Sequence, residues 1–306
     1  MEAGRLKKRV ALLIPVFNNI EFTKSCLNKL DELLANSELE HLAISIVVID
    51  DGSKDGSSVW IRENYPDLIV LQGDGNLWWS GGINMGAAFA IDKGDYEYVM
   101  LWNNDIQPAD DYFTALDGLI PQISGDAIIG SKIYSMGEEN MVWSYGGQFN
   151  PKTGRIYMLG YEEEDGDKYV LPALADWLPG MGTLVPISVI QKIGYWDALN
   201  FPQYHGDSDF TYRAKLAGFE LWVYPQLRIW NNRDNTGLKH DGSFKKLKLL
   251  FTDTRSNFNW KMNMLFFKKY STSIFAYIPL LKWYAIMLGG FVKWKILGFF
   301  GVSRPA

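Results

Sequence analysis

Four short groups of residues, in fixed order, have the types needed for chemistry on a charged, oxygen-rich ligand. An apolar run ends in Asp50-Asp51-Gly52-Ser53, and a glycine-rich stretch extends from Gly73 to Gly86. A second apolar run ends in Asn103-Asn104-Asp105, and Gly206-Asp207-Ser208-Asp209 lies far downstream with Arg213 after it. Carboxylates at a strand end, here Asp50 and Asp51, can accept hydrogen bonds from a nucleobase imide or a ribose hydroxyl. Pro15 and Phe17 then form the other wall of a base pocket. Asn103 and Asp105 offer the oxygen ligands that Mg²⁺ or Mn²⁺ prefers, with phosphates or waters completing the shell. One carboxylate in the triplet makes that site lean on a diphosphate. Small residues such as Gly81 and Gly82 let backbone approach a ligand, and amides opening a helix there would face an anion. Asn76, Trp79, Asn84 and Asn104 complete the donor-side set, and Asp207 is the candidate general base.

Each group also has an ordinary reading. Asp, Gly and Ser are turn residues, and Asn103-Asn104-Asp105 can cap a turn before Pro108. Trp78 and Trp79 suit either a hydrophobic core or an aromatic wall for a sugar. Asp207 and Asp209 fall in the first turn of a helix, where the helix dipole favours acids. Asp209 pairs naturally with Arg213 four residues on, which leaves Asp207 for chemistry. His205 beside it either supports the base or takes part.

The elements that must position these groups follow from periodicity. Val10–Val16, Ala43–Ile49, Asp67–Leu71 and Tyr96–Trp102 read as strands, alternating with helices at Glu21–Leu34, Asp55–Tyr65 and Gly82–Ile91. Continuous β-branched strands such as Ala43–Ile49 imply parallel strands covered on both faces. Ligands of such sheets bind at the carboxyl ends of the strands, where the Asp50 and Asp105 groups stand. Further on, Ala127–Ile133 and Thr183–Val185 are short strand candidates among acidic loops. Residues 1–240 are expected to form one α/β domain with a mixed, mainly parallel sheet flanked by helices. Residues 241–306 form a helical, basic and aromatic tail.

The chain has 306 residues, 47% of them hydrophobic, a lone Cys26, and a net charge of −5. The composition excludes global disorder and an internal disulfide. No secretory signal is expected, since the run Val10–Phe17 is short and contains Pro15. The charge is uneven: Lys239 to the end carries 12 Lys/Arg against Asp241 and Asp253. Its apolar and aromatic content favours an anionic membrane surface over nucleic acid as partner. Ile274–Val292 contains Pro279 and Lys282, so a helix lying in the interface is expected rather than a span of about 20 apolar residues. The same faces could instead pack on the protein itself or join copies of the chain in a homo-oligomer.

The ordered set resembles the family-2 inverting glycosyltransferases of GT-A (Rossmann-like) fold, especially the bacterial rhamnosyl- and galactofuranosyltransferase-like branch. The matching pieces are Pro15-Val16-Phe17-Asn18, Asp50-x-Gly-Ser-x-Asp55-Gly, Gly75-Asn76 with Gly81-Gly82-x-Asn84-x-Gly86, Asn103-x-Asp105, and Asp207-x-Asp209-x3-Arg213. Leu178–Gly182 and Gly194–Asp197 are similar to an acceptor-side segment, which Trp177, Gly180, Met181 and His205 would serve. The resemblance implies Asp50 at the nucleobase, Asp105 at metal and diphosphate, and Asp207 as base. It covers residues 8 to 240. Two departures stand out: Gly206 replaces the usual Glu before Asp207, and Ile229–Arg233 lacks the expected metal-reaching His, leaving His240 as the nearest imidazole.

The implied activity is hexosyl transfer from a nucleotide-sugar donor to a lipid-linked saccharide, at the cytoplasmic inner leaflet, in surface polysaccharide synthesis. A nucleotidyltransferase would carry a basic, glycine-rich loop near Phe17–Ile20, which is lacking. The remaining alternative is a non-catalytic nucleotide-sugar binding module at a membrane.

Overall fold

The computed structural model describes residues 6–232, 238 and 243–299. In chain order the first elements are β1 (Lys8–Val16), α1 (Ile20–Asn36), β2 (Leu42–Asp50), α2 (Ser57–Asn64), β3 (Ile69–Gln72), α3 (Trp78–Lys93) and β4 (Tyr98–Leu101). Next come β5 (Ile106–Pro108), α4 (Tyr112–Leu119), β6 (Ile128–Ser135), β7 (Glu138–Ser144), β8 (Gly147–Asn150), β9 (Arg155–Met158) and β10 (Glu163–Glu164). The last are β11 (Ala173–Leu174), β12 (Thr183–Pro186), α5 (Ile187–Ile193), α6 (Gly206–Leu216), β13 (Leu221–Asn231), α7 (Phe244–Thr252), α8 (Trp260–Tyr270) and α9 (Tyr277–Phe299).

The chain divides into two compact units. The first comprises Met1–Gln148 and Met158–Asp234, the second Phe149–Tyr157 and Asn235–Ala306. The sequence-based division at residue 240 does not include the segment Phe149–Tyr157 in the tail.

The first unit is an α/β sandwich. Its central sheet runs β10-β7-β6-β12-β4-β1-β2-β3, with β13 beside β6. The strands β3, β2, β1 and β4 are all parallel, and β12 joins antiparallel to β4. Strand β1 is buried on both faces, as its unbroken apolar run predicts. Val10, Leu12 and Ile14 pack with Leu27 and Leu30 of α1, whereas Ala11 and Leu13 pack with Ile83, Ala87 and Ala90 of α3.

The expected helix at Gly82 starts earlier, at Trp78. The cause is Asp51, whose carboxylate accepts the N–H of Leu77 at 2.8 Å and of Trp78 at 3.2 Å. An anion supplied by the chain itself thus caps this helix. Gly81 and Gly82 consequently lie inside α3, and Gly82 closes on Pro15, to which a Cβ would come within 3.1 Å.

The second unit is helical. Phe149 inserts between Phe266 and Phe267 of α8, and the N–H of Thr272 donates to the carbonyl of Pro151 at 2.9 Å. Pro279 falls in the first turn of α9, where its missing N–H breaks no helical hydrogen bond. The helix therefore continues for 23 residues.

Candidate active site at the carboxyl ends of the strands

The loops after β1, β2 and β4 meet at one end of the sheet. Asn18 and Asn19 both adopt left-handed backbone, at φ 56° and 58°, which turns the chain sharply out of β1. The turn is tied to the next loop: the Asn18 N–H donates to Ser53 Oγ at 2.8 Å, and Asn18 Oδ1 accepts the Lys54 N–H at 2.9 Å. Phe17 is left with its ring exposed, the form a stacking wall requires, while Pro15 is held in register opposite Ile49.

The two carboxylates of the Asp50-Asp51 pair serve different loops. Asp50 is fully buried and accepts the N–H of Ser53 at 2.9 Å and the hydroxyl of Ser58. Asp51, besides capping α3, accepts the Gly75 N–H at 2.8 Å. The pair thus fixes the loop after β2 and the loop leading into α3. Asn76 is exposed in the latter loop. Asn84 stands apart, because both ends of its amide bind the backbone of Trp196 at 2.9 Å. Its place is in the framework behind the site.

Topology brings the remaining pieces together. Because β12 pairs antiparallel with β4, the turn before it runs alongside the end of β4, and the Gly182 N–H donates to the Leu101 carbonyl at 2.9 Å. Gly180 in that turn donates its N–H to Asp207 Oδ2 at 2.9 Å, while the Ser208 N–H donates to Asp207 Oδ1 at 2.7 Å. The ring of Trp79 covers Gly180 so closely that a Cβ there would lie 2.2 Å from Trp79 Cζ2. The indole N–H of Trp79 donates to Asn103 Oδ1 at 3.0 Å. The end of β4 and the first turn of α6 are therefore linked through one tryptophan and one glycine.

Burial pushes the Asp207 carboxyl above its ordinary range; the Gly180 and Ser208 amides and the charge of His205 pull it partly back. His205 lies just before α6 in left-handed backbone, with Nδ1 3.4 Å from Ser208 Oγ. As anticipated, Asp209 and Arg213 form a structural pair at 2.9 Å, and Arg213 also binds the carbonyls of Ile193 and Tyr195. Met181 joins the hydrophobic core, and Trp177 lies over Gly147. Of the acceptor-side set, Gly180 and His205 thus stand nearest Asp207 in bonding.

The donor set for a metal is partial but suitable. Burial also raises the Asp105 carboxyl, and no side chain among the described residues hydrogen-bonds to it. A cation would relieve that desolvated charge. Among the described residues no three or more His, Cys, Asp and Glu side chains cluster as a metal site, so most of the shell would come from phosphate and water. Asn104 turns away, its amide donating to Thr23 Oγ1 at 3.1 Å. His240 lies outside the described residues.

Sequence reasoning missed Ser80 and Gln203. Ser80 donates its hydroxyl to the Phe201 carbonyl at 2.6 Å and its N–H to the Pro202 carbonyl at 2.9 Å. The Gln203 side chain accepts the Trp79 N–H at 3.3 Å. No motif marks either residue, since their partners lie over a hundred positions away. Ser80 also explains Gly206: a Cβ on Gly206 would sit 2.1 Å from Ser80 Oγ and 3.1 Å from the Phe201 carbonyl oxygen. Restoring the missing acid as Gly206→Glu is therefore expected to destabilise the protein by about 1–3 kcal/mol through overpacking. Urea denaturation of the variant measures this; an unchanged midpoint would contradict the close packing of α3 on α6.

With this geometry in view, comparison with known proteins is informative. A family model described as "Glycosyl transferase family 2" matches residues 11–167, just over half of the 306. An uncharacterized protein of Methanocaldococcus jannaschii is 27% identical over 126 residues, which are 40% of this chain and 51% of that protein. The match thus spans about half the length of this curated relative. Two solved structures share the fold at 13% identity and a TM-score of 0.55. One is GalNAc-T7 with UDP, GalNAc and Mn²⁺, over 83% of this chain and 50% of that one. The other is the mannosyltransferase PcManGT of Pyrobaculum calidifontis with GDP-Man and Mn²⁺, over 91% and 69%. The Asp-Asp-Gly-Ser turn, the glycine-rich helix start and the Asn-Asn-Asp strand end all lie within the matched segment, and the chain belongs to glycosyl transferase family 2.

Proposed function

We propose that this protein is an inverting hexosyltransferase that moves a sugar from a nucleoside diphosphate to a hydroxyl of a lipid-linked saccharide, in surface polysaccharide synthesis. The observation that carries this reading is the linkage of Asp207 to the Asn103–Asp105 strand end through Gly180 and Trp79. It sets a candidate base beside a candidate diphosphate site. The acceptor hydroxyl oxygen bonds to the anomeric carbon while the bond from that carbon to the diphosphate oxygen breaks, its electron pair leaving with the nucleotide. Asp207 takes the hydroxyl proton, and attack opposite the leaving group inverts the centre. General-base assistance of this kind contributes about 10²–10⁴-fold. Mn²⁺ or Mg²⁺, when bound, would neutralise charge on the departing diphosphate; Asp105 is the residue that would hold it. The exposed Phe17 ring suits the nucleobase.

The working form of Asp207 is the carboxylate. Because its pKa is raised, activity is present above that pKa and lost as pH falls through it. The acid limb of kcat/KM is expected above pH 3.8, the ordinary aspartate value. Nucleoside diphosphate release can be followed from UDP-, GDP- and dTDP-sugars with lipid-linked acceptor extract and Mn²⁺. Asp207→Asn is expected to lower turnover by about 10²–10⁴-fold with donor KM little changed. Undiminished turnover in the variant would sink the assignment of Asp207, whereas donor binding without turnover in the unaltered protein would favour the non-catalytic binding module.

The second unit supports attachment to the inner leaflet from the cytoplasmic side. One stripe of α9, including Leu280 and Tyr284, is buried, with Tyr284 stacked on Phe251. Elsewhere Ile278, Leu281, Ile286, Val292, Ile296 and Phe299 are exposed. At about 100° per residue these fall in one outward sector, within which Lys282 and Lys293 also lie, with Lys295 beyond one edge. By length and composition the helix Ile274–Leu297 could also cross a membrane. A packed inner stripe, and an outward apolar face that itself carries lysines able to keep their heads in water, instead favour a helix lying in the plane of an anionic surface. The double variant Leu281→Asp/Val292→Asp is expected to weaken sedimentation with phosphatidylglycerol-containing vesicles at least about tenfold, since charges in a buried apolar face are costly. Unchanged sedimentation would contradict membrane docking. A dimer broken by the same variant, with no vesicle binding, would turn the surface into an oligomer interface.

A further inference from the structure

We infer that Trp79 is a positioning residue that fixes the Asn103 amide with its NH₂ group offered to the donor's diphosphate, so that Asn103 serves as a hydrogen-bond donor rather than as a metal ligand. The inference rests on the glycosyltransferase reading of the site and adds to it a division of labour between Asn103 and Asp105.

An indole N–H can only donate, so the atom of Asn103 facing it at 3.0 Å must be the carbonyl oxygen Oδ1. The orientation of the amide, otherwise free to be reversed, is thereby set by chemistry. The oxygen that a cation would want already accepts a proton from a ring that is itself held in place. That ring packs against Gly180, where a Cβ would come within 2.2 Å of Cζ2, and the backbone N–H of Trp79 is accepted by Gln203 Oε1. The residue before it, Trp78, is in left-handed backbone at φ 56°. Such strain in a bulky residue persists only where surroundings over-determine it, and it recurs at functional sites.

Nδ2 of Asn103 makes no hydrogen bond to the described residues, and the side chain is only half-buried. It stands two residues before Asp105, at the strand end where a diphosphate must meet both a carboxylate and a cation. A neutral NH₂ donor there complements phosphate oxygens, whereas a second carboxylate would repel them. This accounts for an Asn where a metal-binding triplet would otherwise gain from another acid.

Two substitutions separate the readings. Asn103→Asp keeps an oxygen for the Trp79 N–H, removes the NH₂, and would make a stronger metal ligand. Trp79→Phe keeps a ring against Gly180 but removes the N–H. Binding of UDP, GDP and dTDP is measured by calorimetry with Mn²⁺, and Mn²⁺ binding alone by paramagnetic resonance. The assignment expects Asn103→Asp to weaken nucleoside diphosphate binding about tenfold or more, as loss of a hydrogen bond to a charged group does, without weakening Mn²⁺ binding. Trp79→Phe should weaken it less, and its effect should largely vanish in the Asn103→Asp background, a non-additivity that a purely structural tryptophan would not show. Tighter nucleotide binding by Asn103→Asp, or additive effects in the double variant, would overturn the assignment. Failure of the wild-type protein to bind any of the three nucleotides with Mn²⁺ would instead overturn the glycosyltransferase reading, and this inference with it.

Discussion

The contact between the Gly180 amide and the Asp207 carboxylate is the constraint on which the rest of the site depends. A general base must be desolvated enough to want a proton and yet fixed in direction. For Asp207, the proposed base, burial supplies the first condition and two backbone amides the second. Both amides belong to rigid elements, one to the turn leading into β12 and one to the first turn of α6. Small residues make the approach possible: Gly180 leaves room for the Trp79 ring, and Gly206 leaves room for Ser80. The absence of the familiar acid before Asp207 is thus a packing requirement of this chain, which removes one reason to regard the site as decayed.

The donor side is organised by a different device. Asp50 and Asp51 are adjacent in sequence but alternate in direction, as strand residues do. One carboxylate turns to α2 and the loop after β2, and the other to the start of α3. The Asp51 carboxylate occupies the helix terminus, a place whose free amides would attract a phosphate. In the proposed function, diphosphate binding consequently falls to the end of β4, where a cation would relieve the desolvated Asp105 and Asn103 would present its amide. The proposed base, nucleotide rim and diphosphate site are then three consequences of one sheet whose loops after β1, β2 and β4 emerge at the same edge.

Much of this was legible in the sequence. Unbroken apolar runs before Asp50 and before Asn103 identified parallel strands, and Asp207 could be separated from Asp209 because Arg213 lies at helical spacing from the latter. What could not be read were contacts between distant segments. Asn84 looks like part of a glycine-rich ligand loop, yet it clamps Trp196, more than a hundred residues on. Gly81 and Gly82 look like loop glycines, yet Asp51 starts the helix before them. Pro279 looks like an interruption, but a proline in the first turn costs a helix nothing. For Asn84 and the two glycines a long-range partner decided the role, and for Pro279 the exact start of the helix did.

The most direct test of the account is a crystal structure with the preferred nucleoside diphosphate and Mn²⁺. The account predicts the base against Phe17, the diphosphate and metal at Asp105, and the Asp207 carboxylate facing the vacant sugar position with its Gly180 hydrogen bond intact. A nucleotide bound away from the carboxyl ends of β1, β2 and β4, or an Asp207 pointing away from the diphosphate, would contradict it.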